Sequence, residues 1–353
     1  MNVLSLFDGM SCGQQALQKQ GIEVENYFAS EIDKFSIQIT KKNFPNTIHL
    51  GDVRNVSAED LPKIDLLIGG SPCQSFSFAG KRKGMSTKDE VEILTLEHYL
   101  ELKSQNFEFE GQSYLFWEYM RLLTTLKPKY FLLENVLMGE KWERILSKAI
   151  GYNAIEVNSA LVSAQNRRRL YWTNIGTEAS GLFGFHTSII QQPKDKKILL
   201  KDVLQPEEEI EEKYYLSEKM IEGFKLHAQR HEDKGTGFAW NPTEGENKGA
   251  CLRANGALCP TDNIIKITGG DFRFDEGFRP RLGGKTNTLC LNDNSFVFAN
   301  NHPFRRLTPI ECERLQTVAD NYTEGVSDSQ RYKMLGNGWT VDVIAHIFKY
   351  MNV

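Results

Sequence analysis

The chain has 353 residues, with 42 Lys and Arg against 46 Asp and Glu, room for one large domain or two medium ones of ordinary soluble composition. No apolar run reaches the ~20 residues of a membrane span, the opening Met1–Phe7 lacks the basic region and cleavage site of a signal peptide, and the six cysteines are scattered with none in a C-x-x-C pair, so no metal site or disulfide framework is expected and a reducing, cytoplasmic compartment fits. The net charge of −4 excludes a chain that is basic throughout, leaving nucleic-acid contact to local clusters at Lys81-Arg82-Lys83, Arg167-Arg168-Arg169, Arg279 with Arg281, and Arg305-Arg306, each of which alone reads as a solvated or ion-paired face.

Strand and helix signals alternate along the first half. Val3–Phe7 is an apolar run ending at Asp8-Gly9, and Ser11 can cap a helix that Gly21 stops. Tyr27–Ile32 is a second strand, followed by a helix that Asp33 can cap. Thr47–Leu50 is a short third strand, and Ile64–Ile68 a fourth, broken by Gly69-Gly70. A helix from about Ser113 to Leu126 precedes a fifth strand at Tyr130–Leu133. This alternation predicts an α/β fold: a doubly wound, mostly parallel sheet with ligands beyond the carboxyl ends of its strands. From about Gly176 to His302 the periodicity weakens and Gly, Asn, Asp and Thr accumulate. Glu207–Glu212 reads as a solvated surface, and no recognition helix or zinc signature is visible in the region. A strong pattern returns at Arg306-Leu307-Thr308-Pro309. The expected organisation is therefore a catalytic domain at 1–176, an inserted smaller region at 177–303, and a segment at 304–353 that returns to the first domain.

The strand ends carry the residues of interest. Phe7-Asp8-Gly9 and Gly13 form a glycine-containing strand-to-helix turn that lets a ligand approach the backbone. It is not the G-x-G-x-x-G of dinucleotide folds, which disfavours a nicotinamide oxidoreductase. Glu31 and Ile32 end the second strand, where an acid can hold two ribose hydroxyls. Asp52 and Val53 follow the third, where an acid can accept from an adenine amino group. Together they point to an adenosine-containing ligand with no phosphate requirement. The fourth strand delivers Ser71-Pro72-Cys73-Gln74, with a cysteine placed unlike a core thiol, between a rigid proline and a long polar loop. The fifth delivers Glu134-Asn135-Val136 toward the same crevice.

Taken in order, these segments resemble the motifs of the DNA (cytosine-5) methyltransferase family across almost the whole chain. They are the Phe7–Gly13 turn, Pro72-Cys73-Gln74, Glu134-Asn135-Val136, Gln165-Asn166-Arg167-Arg168-Arg169, Arg306-Leu307-Thr308 with Glu311 and Arg314-Leu315-Gln316, and Leu335-Gly336-Asn337. The last motif departs from the usual pattern by continuing as Gly338-Trp339-Thr340-Val341. In this it is similar to the animal de novo branch and to some bacterial and phage relatives.

The resemblance implies the class I methyltransferase fold and S-adenosylmethionine as cofactor, with Asn337 and Trp339 joining the cofactor residues above. It also implies double-stranded DNA as partner, with a flipped cytosine as substrate. Cys73 would add as a thiolate to carbon 6, and Glu134, carrying a proton, would hold ring nitrogen 3 and the amino group. Arg167 resembles the residue that holds the cytosine carbonyl oxygen, and Arg169 the one that supports the catalytic loop. Ser71, Pro72, Gln74 and Asn135 would line the base pocket. The long connection from Gln74 to about Gly111 reads as a lid, and 177–303 as the reader of sequence. A cognate restriction endonuclease would be a functional partner. The alternatives are an RNA cytosine-5 methyltransferase of the same family and an inactive DNA-binding homologue.

Overall fold

A computed structural model describes residues 1–72, 92–109, 111–180, 185–235, 242–254, 264–266, 270–273, 277–280 and 304–352. Val3, Leu4, Ser5 and Leu6 are all buried, which is why the first strand reads as an unbroken apolar run instead of an alternating one. That strand, β1 (Asn2–Leu6), is followed by α1 (Cys12–Lys19), β2 (Asn26–Ser30), α2 (Lys34–Asn43), β3 (Ile48–His49) and β4 (Leu66–Gly70). Next come α3 (Leu96–Ser104), α4 (Phe116–Leu126), β5 (Tyr130–Val136), α5 (Glu140–Ile150), β6 (Ile155–Asn158) and β7 (Arg168–Thr173). The sheet order is β3-β2-β1-β4-β5-β7-β6. Its first five strands run parallel, while β7 lies antiparallel to both β5 and β6. The mostly parallel doubly wound sheet is thus as expected. Two apolar cores flank it, one around Leu17, Ile68 and Ile344, the other around Leu67, Trp117 and Leu133.

The local signals divide. Asp33 caps α2 as expected, accepting from Phe35 N at 2.9 Å and Ser36 N at 3.2 Å. Ser11 stands at the N-cap of α1 but makes no capping bond. Its backbone is left-handed, and its hydroxyl donates to Asp8 Oδ2 instead. Gly13 serves packing: a Cβ there would lie 2.3 Å from Ile68 Cδ1 and 3.0 Å from Tyr27 OH, so a larger residue would force the Ile68 side chain to shift before α1 settled on β4. Strands β6 and β7 were not expected, because the three arginines opening the 167–173 stretch mask the apolar Leu170-Tyr171-Trp172 behind them.

The middle region holds a hairpin of β8 (Thr177–Ser180) and β9 (Phe185–Ser188), then α6 (Glu218–Asp233), β10 (Ile264–Lys266) and the pair β11 (Gly270–Arg273) and β12 (Gly277–Pro280). The helix α6 was not read from the sequence. Ser217 caps it through Met220 N, but its apolar face is thin, with Ile221 alone buried, so helical periodicity is faint in the sequence. Leu200, Val203, Leu252 and Ile265 join the core that also contains Val3 and Leu335, so this region shares apolar contacts with the sheet layer.

The chain returns through β13 (Phe304–Arg306), paired with β10, and then α7 (Pro309–Leu315), α8 (Asp328–Asn337) and α9 (Val341–Phe348). Thr308 and Glu311 form a capping box at α7, with Pro309 in its first turn. The Arg305-Arg306 cluster is not a phosphate-facing patch. Arg305 is buried and holds Glu311 bidentately, with two contacts of 2.8 Å. Arg306 lies 3.8 Å above the Tyr332 ring.

Because Glu311 is fully buried, removing its partner strands a charge. Arg305→Met should lower the unfolding free energy by about 3–5 kcal/mol, read from urea denaturation. A loss below about 1 kcal/mol would show that the pair is dispensable.

Candidate active site

Parallel strands end together, so the turns after β1, β2, β3 and β4 and the end of β5 meet in one crevice of about 850 Å³. It is lined by Phe7, Asp8, Gly9, Glu31, Ile32, Asp52, Val53, Ser71, Pro72, Glu134, Asn135, Arg167 and Arg169, and by Asn337 and Trp339 from the returning segment. Every expected cofactor residue except Gly13 faces this space. Tyr114 and Leu115 also line it. They stand in the tight turn before α4, where no sequence signal distinguished them from helix. Cys73 and Gln74 lie outside the described residues, as do Lys81-Arg82-Lys83 and Arg281.

At the β1 and β2 ends the backbone is tightly turned. Phe7, Gly9 and Ser11 all have positive φ, between 57° and 59°. Glu31 ties the two turns together, accepting from Gly9 N at 2.8 Å, Ile32 N at 2.7 Å and Asp33 N at 2.8 Å. Three donors leave its carboxylate room for a further hydroxyl. Ile32 is 68% exposed at the rim, a bare apolar face suited to a flat ring. Asp52 accepts from Arg54, with Nε 3.0 Å from both carboxylate oxygens. These groups fit an adenosine-bearing cofactor: carboxylates for hydroxyl and amino donors, an apolar face for the base, and glycine backbone for close approach.

Asp8 plays a different part. It lines the crevice, yet its carboxyl turns inward to Tyr27 OH at 2.7 Å and to Ser11. Burial pushes its pKa up to about 6, against hydrogen bonds from Ser11, Ser5 and Tyr27 that lower it.

The other end of the crevice is set by strand register. Gly70 pairs with Glu134 across β4 and β5, and Val136 pairs with Arg169 across β5 and β7. A Cβ on Gly70 would lie 3.0 Å from Trp339 Nε1 and 3.2 Å from Glu134 Oε2, so glycine there lets both side chains close over the strand end. Glu134 is nearly buried and lies 3.0 Å from Arg169 Nε. That N–H is not aimed at the carboxylate, and Arg169 Nε remains buried without a hydrogen-bond acceptor. Asn135 lines the crevice, and its amide donates to Ser71 Oγ at 3.1 Å and Ser71 O at 3.3 Å, tying β5 to the segment after β4.

The two arginines differ from expectation. Arg167 is buried, and its two terminal nitrogens meet carbonyls: Leu252 O and Gly336 O at 3.2 Å each and Gly338 O at 2.9 Å. Arg169 is the one with an uncommitted donor beside Glu134. Arg168 points outward to Glu156. Cys251 Sγ lies 3.3 Å from Arg167 Nη1. Burial would raise that thiol's pKa, but the guanidiniums of Arg167 and Arg169 outweigh burial and hold it below the ordinary range. Among the described residues no group of histidine, cysteine and carboxylate side chains could hold a metal ion, and no helix is long and apolar enough to cross a membrane.

A mostly parallel seven-stranded sheet with a crevice at the ends of its parallel strands is the class I methyltransferase fold. Comparison with known proteins is consistent with this. The family model for C-5 cytosine-specific DNA methylase matches residues 1–352, and the chain belongs to that family. Its activity class is accordingly DNA (cytosine-5-)-methyltransferase. The Type II methyltransferase M1.ScrFI of Lactococcus lactis subsp. cremoris is 28% identical over 99% of this chain and 77% of that protein. The Orphan methyltransferase M.SPRI of Bacillus phage SPR is 27% identical over 99% and 97%. Among solved structures, the S. pombe Dnmt2 methyltransferase superposes with a TM-score of 0.63 at 16% identity, covering 100% of both chains, a likeness of fold.

The carboxyl of Asp8 gives the crevice a pH signature. Its folded pKa of about 6 lies above the ordinary 3.8, so the neutral form favours folding. That contribution is complete below about pH 4 and is lost as pH rises through about 6. Asp8→Asn stays neutral throughout. It should gain stability relative to wild type between about pH 4 and 6, by up to about 3 kcal/mol, and then level off. A difference in urea midpoints that does not vary over this range would contradict the assignment.

Proposed function

We propose that this enzyme methylates carbon 5 of a cytosine flipped out of duplex DNA, through a covalent adduct with Cys73. The observation that carries the reading is the Glu134–Arg169 pair, in which a carboxyl group and an uncommitted buried N–H stand side by side at the strand end that leads to Cys73. A cytosine ring offers matching partners: nitrogen 3 and the amino group for Glu134, and the carbonyl oxygen for Arg169 Nε.

Carbon 5 of cytosine is too weak a nucleophile to accept a methyl group unaided. Addition of the Cys73 thiolate to carbon 6 turns the ring into an enamine that is nucleophilic at carbon 5. Glu134 donates a proton to nitrogen 3 as the thiolate adds, so its interaction is strongest in the transition state. Glu31, Ile32, Asp52 and Trp339 would hold S-adenosylmethionine, which supplies an electrophilic methyl group when bound. A base, for which water suffices, then takes the carbon 5 proton; the electron pair of that bond re-forms the ring double bond and expels the Cys73 thiolate, and nitrogen 3 returns its proton to Glu134. Arg167, with its guanidinium on backbone carbonyls, is assigned to architecture, and Arg169 to the base. Asn135 is assigned to holding Ser71 and Pro72 at the loop start.

The target carbon is unreachable within a stacked duplex, so the base must leave the helix at a cost of a few kcal/mol. Residues 177–303 are assigned to reading the surrounding sequence. The type II and phage relatives favour DNA over RNA as substrate. A bacterial or phage-infected cytoplasm as setting and a restriction endonuclease as functional partner belong to the same reading, although one phage relative is named an orphan methyltransferase.

Bisulfite sequencing of DNA from a host expressing the protein tests the activity, and should show methylation at one recurring sequence. Within the site, Glu134→Gln and Arg169→Met should each lower single-turnover methylation on the order of a hundredfold, about 3 kcal/mol, with both substrates saturating and the fold intact. Arg167→Met should lose thermal stability first. A well-folded Arg169→Met with wild-type turnover would refute the assignment of the two arginines.

A further inference from the structure

One buried carboxylate near the crevice has no part in the chemistry above. Glu118 on α4 is fully buried, yet it faces three donors. Tyr99 OH of α3 reaches Glu118 Oε1 at 2.5 Å, Lys103 of α3 pairs with the same oxygen, and Arg121 Nε donates to Oε2 at 2.7 Å. A charge taken out of water persists only with partners of this kind.

Both cations also donate onward, to a single stretch of backbone. Lys103 Nζ lies 3.3 Å from Arg54 O. Arg121 Nη2 lies 3.3 Å from Val53 O and 2.9 Å from Val56 O. The stretch they hold is the turn after β3, whose Asp52 and Val53 face the crevice. Arg54 closes the same turn from the solvent side, its Nη2 lying 2.5 Å from Asp52 Oδ2. A turn gripped at the carbonyls of Val53, Arg54 and Val56 has little freedom to re-aim its carboxylate. The helix that supplies Tyr99 and Lys103 is also the first described helix after 73–91.

We propose that Glu118, acting through Lys103 and Arg121, is a positioning residue for the cofactor: it fixes the 52–56 turn so that Asp52 faces the base of the bound nucleoside. The proposal rests on the reading of the crevice as the S-adenosylmethionine site. In this account the cluster acts on binding and not on the bond-making step, since it lies behind the turn and touches neither Glu134 nor Arg169.

The test is a split between KM and kcat. Glu118→Gln keeps the volume but leaves two cations short of their counter-charge. It should raise KM for S-adenosylmethionine tenfold or more, with kcat at saturating cofactor within about twofold of wild type and KM for DNA unchanged. Lys103 is one-third exposed, so Lys103→Met provides a variant that folds if Glu118→Gln does not. It should raise the cofactor KM several-fold with a melting curve close to wild type, and Lys103→Arg should restore it. A folded variant at either position with wild-type cofactor KM, or one whose loss falls on kcat alone, overturns the proposal. Calorimetry with S-adenosylhomocysteine on Glu31→Ala, run in parallel, separates the two readings. Unchanged affinity there overturns the cofactor site itself, whereas weakened affinity there beside unchanged affinity in both cluster variants overturns only the role of Glu118.

Discussion

Strand β5 pairs in parallel with β4 on one side and antiparallel with β7 on the other, and the reacting groups depend on that double pairing. The parallel partner brings the chain out at Gly70, opposite Glu134, so the segment running to Cys73 starts beside the carboxyl group. The antiparallel partner sends Arg169 back toward the same end. A sheet parallel throughout would have put the start of β7 at the opposite edge, far from Glu134. Backbone hydrogen bonding thus does the coarse placement, and side chains refine it.

The refinement comes from buried polar groups that have few alternatives once out of water. Gln165 donates to Leu315 O at 2.7 Å, and Gln316 donates to Leu335 O at 2.6 Å and Gly338 O at 3.1 Å. Arg167 joins Leu252, Gly336 and Gly338. Gly336 has no room for a Cβ, which would lie 2.2 Å from the Arg253 carbonyl carbon. These contacts lock the returning segment, with Asn337 and Trp339, against strands laid down much earlier in the chain. They also bring residues 251–254 of the middle region against the site.

The sequence was informative where a feature is local. Apolar runs closed by Gly-Gly or Asp-Gly gave the parallel strands, and the Asp33 cap was visible as a residue type in the right place. Motif order carried the family. It was uninformative where burial partners decide. Nothing in Arg167-Arg168-Arg169 tells which guanidinium is clamped by carbonyls, which meets solvent and which stands beside Glu134, because that follows from the β5–β7 register and from a loop some eighty residues away. Gly13 looked like a ligand-approach glycine and is a packing glycine, since its neighbour Ile68 comes from another strand. Glu118 gave no signal, its partners being spread over α3, α4 and the 52–56 turn. The thin apolar face of α6 hid a helix of 16 residues.

The central claim is that the strand end beside Glu134 delivers a nucleophile to a flipped cytosine. Incubating the protein with S-adenosylmethionine and a duplex carrying 5-fluorocytosine at the methylated position tests it most directly, because fluorine at carbon 5 blocks the final elimination and leaves the adduct in place. The account predicts a denaturation-resistant protein–DNA complex whose cross-linked peptide contains Cys73, and none with Cys73→Ala. A complex formed through Cys251 or any other cysteine, or methylation of ordinary DNA that survives Cys73→Ala, would contradict it.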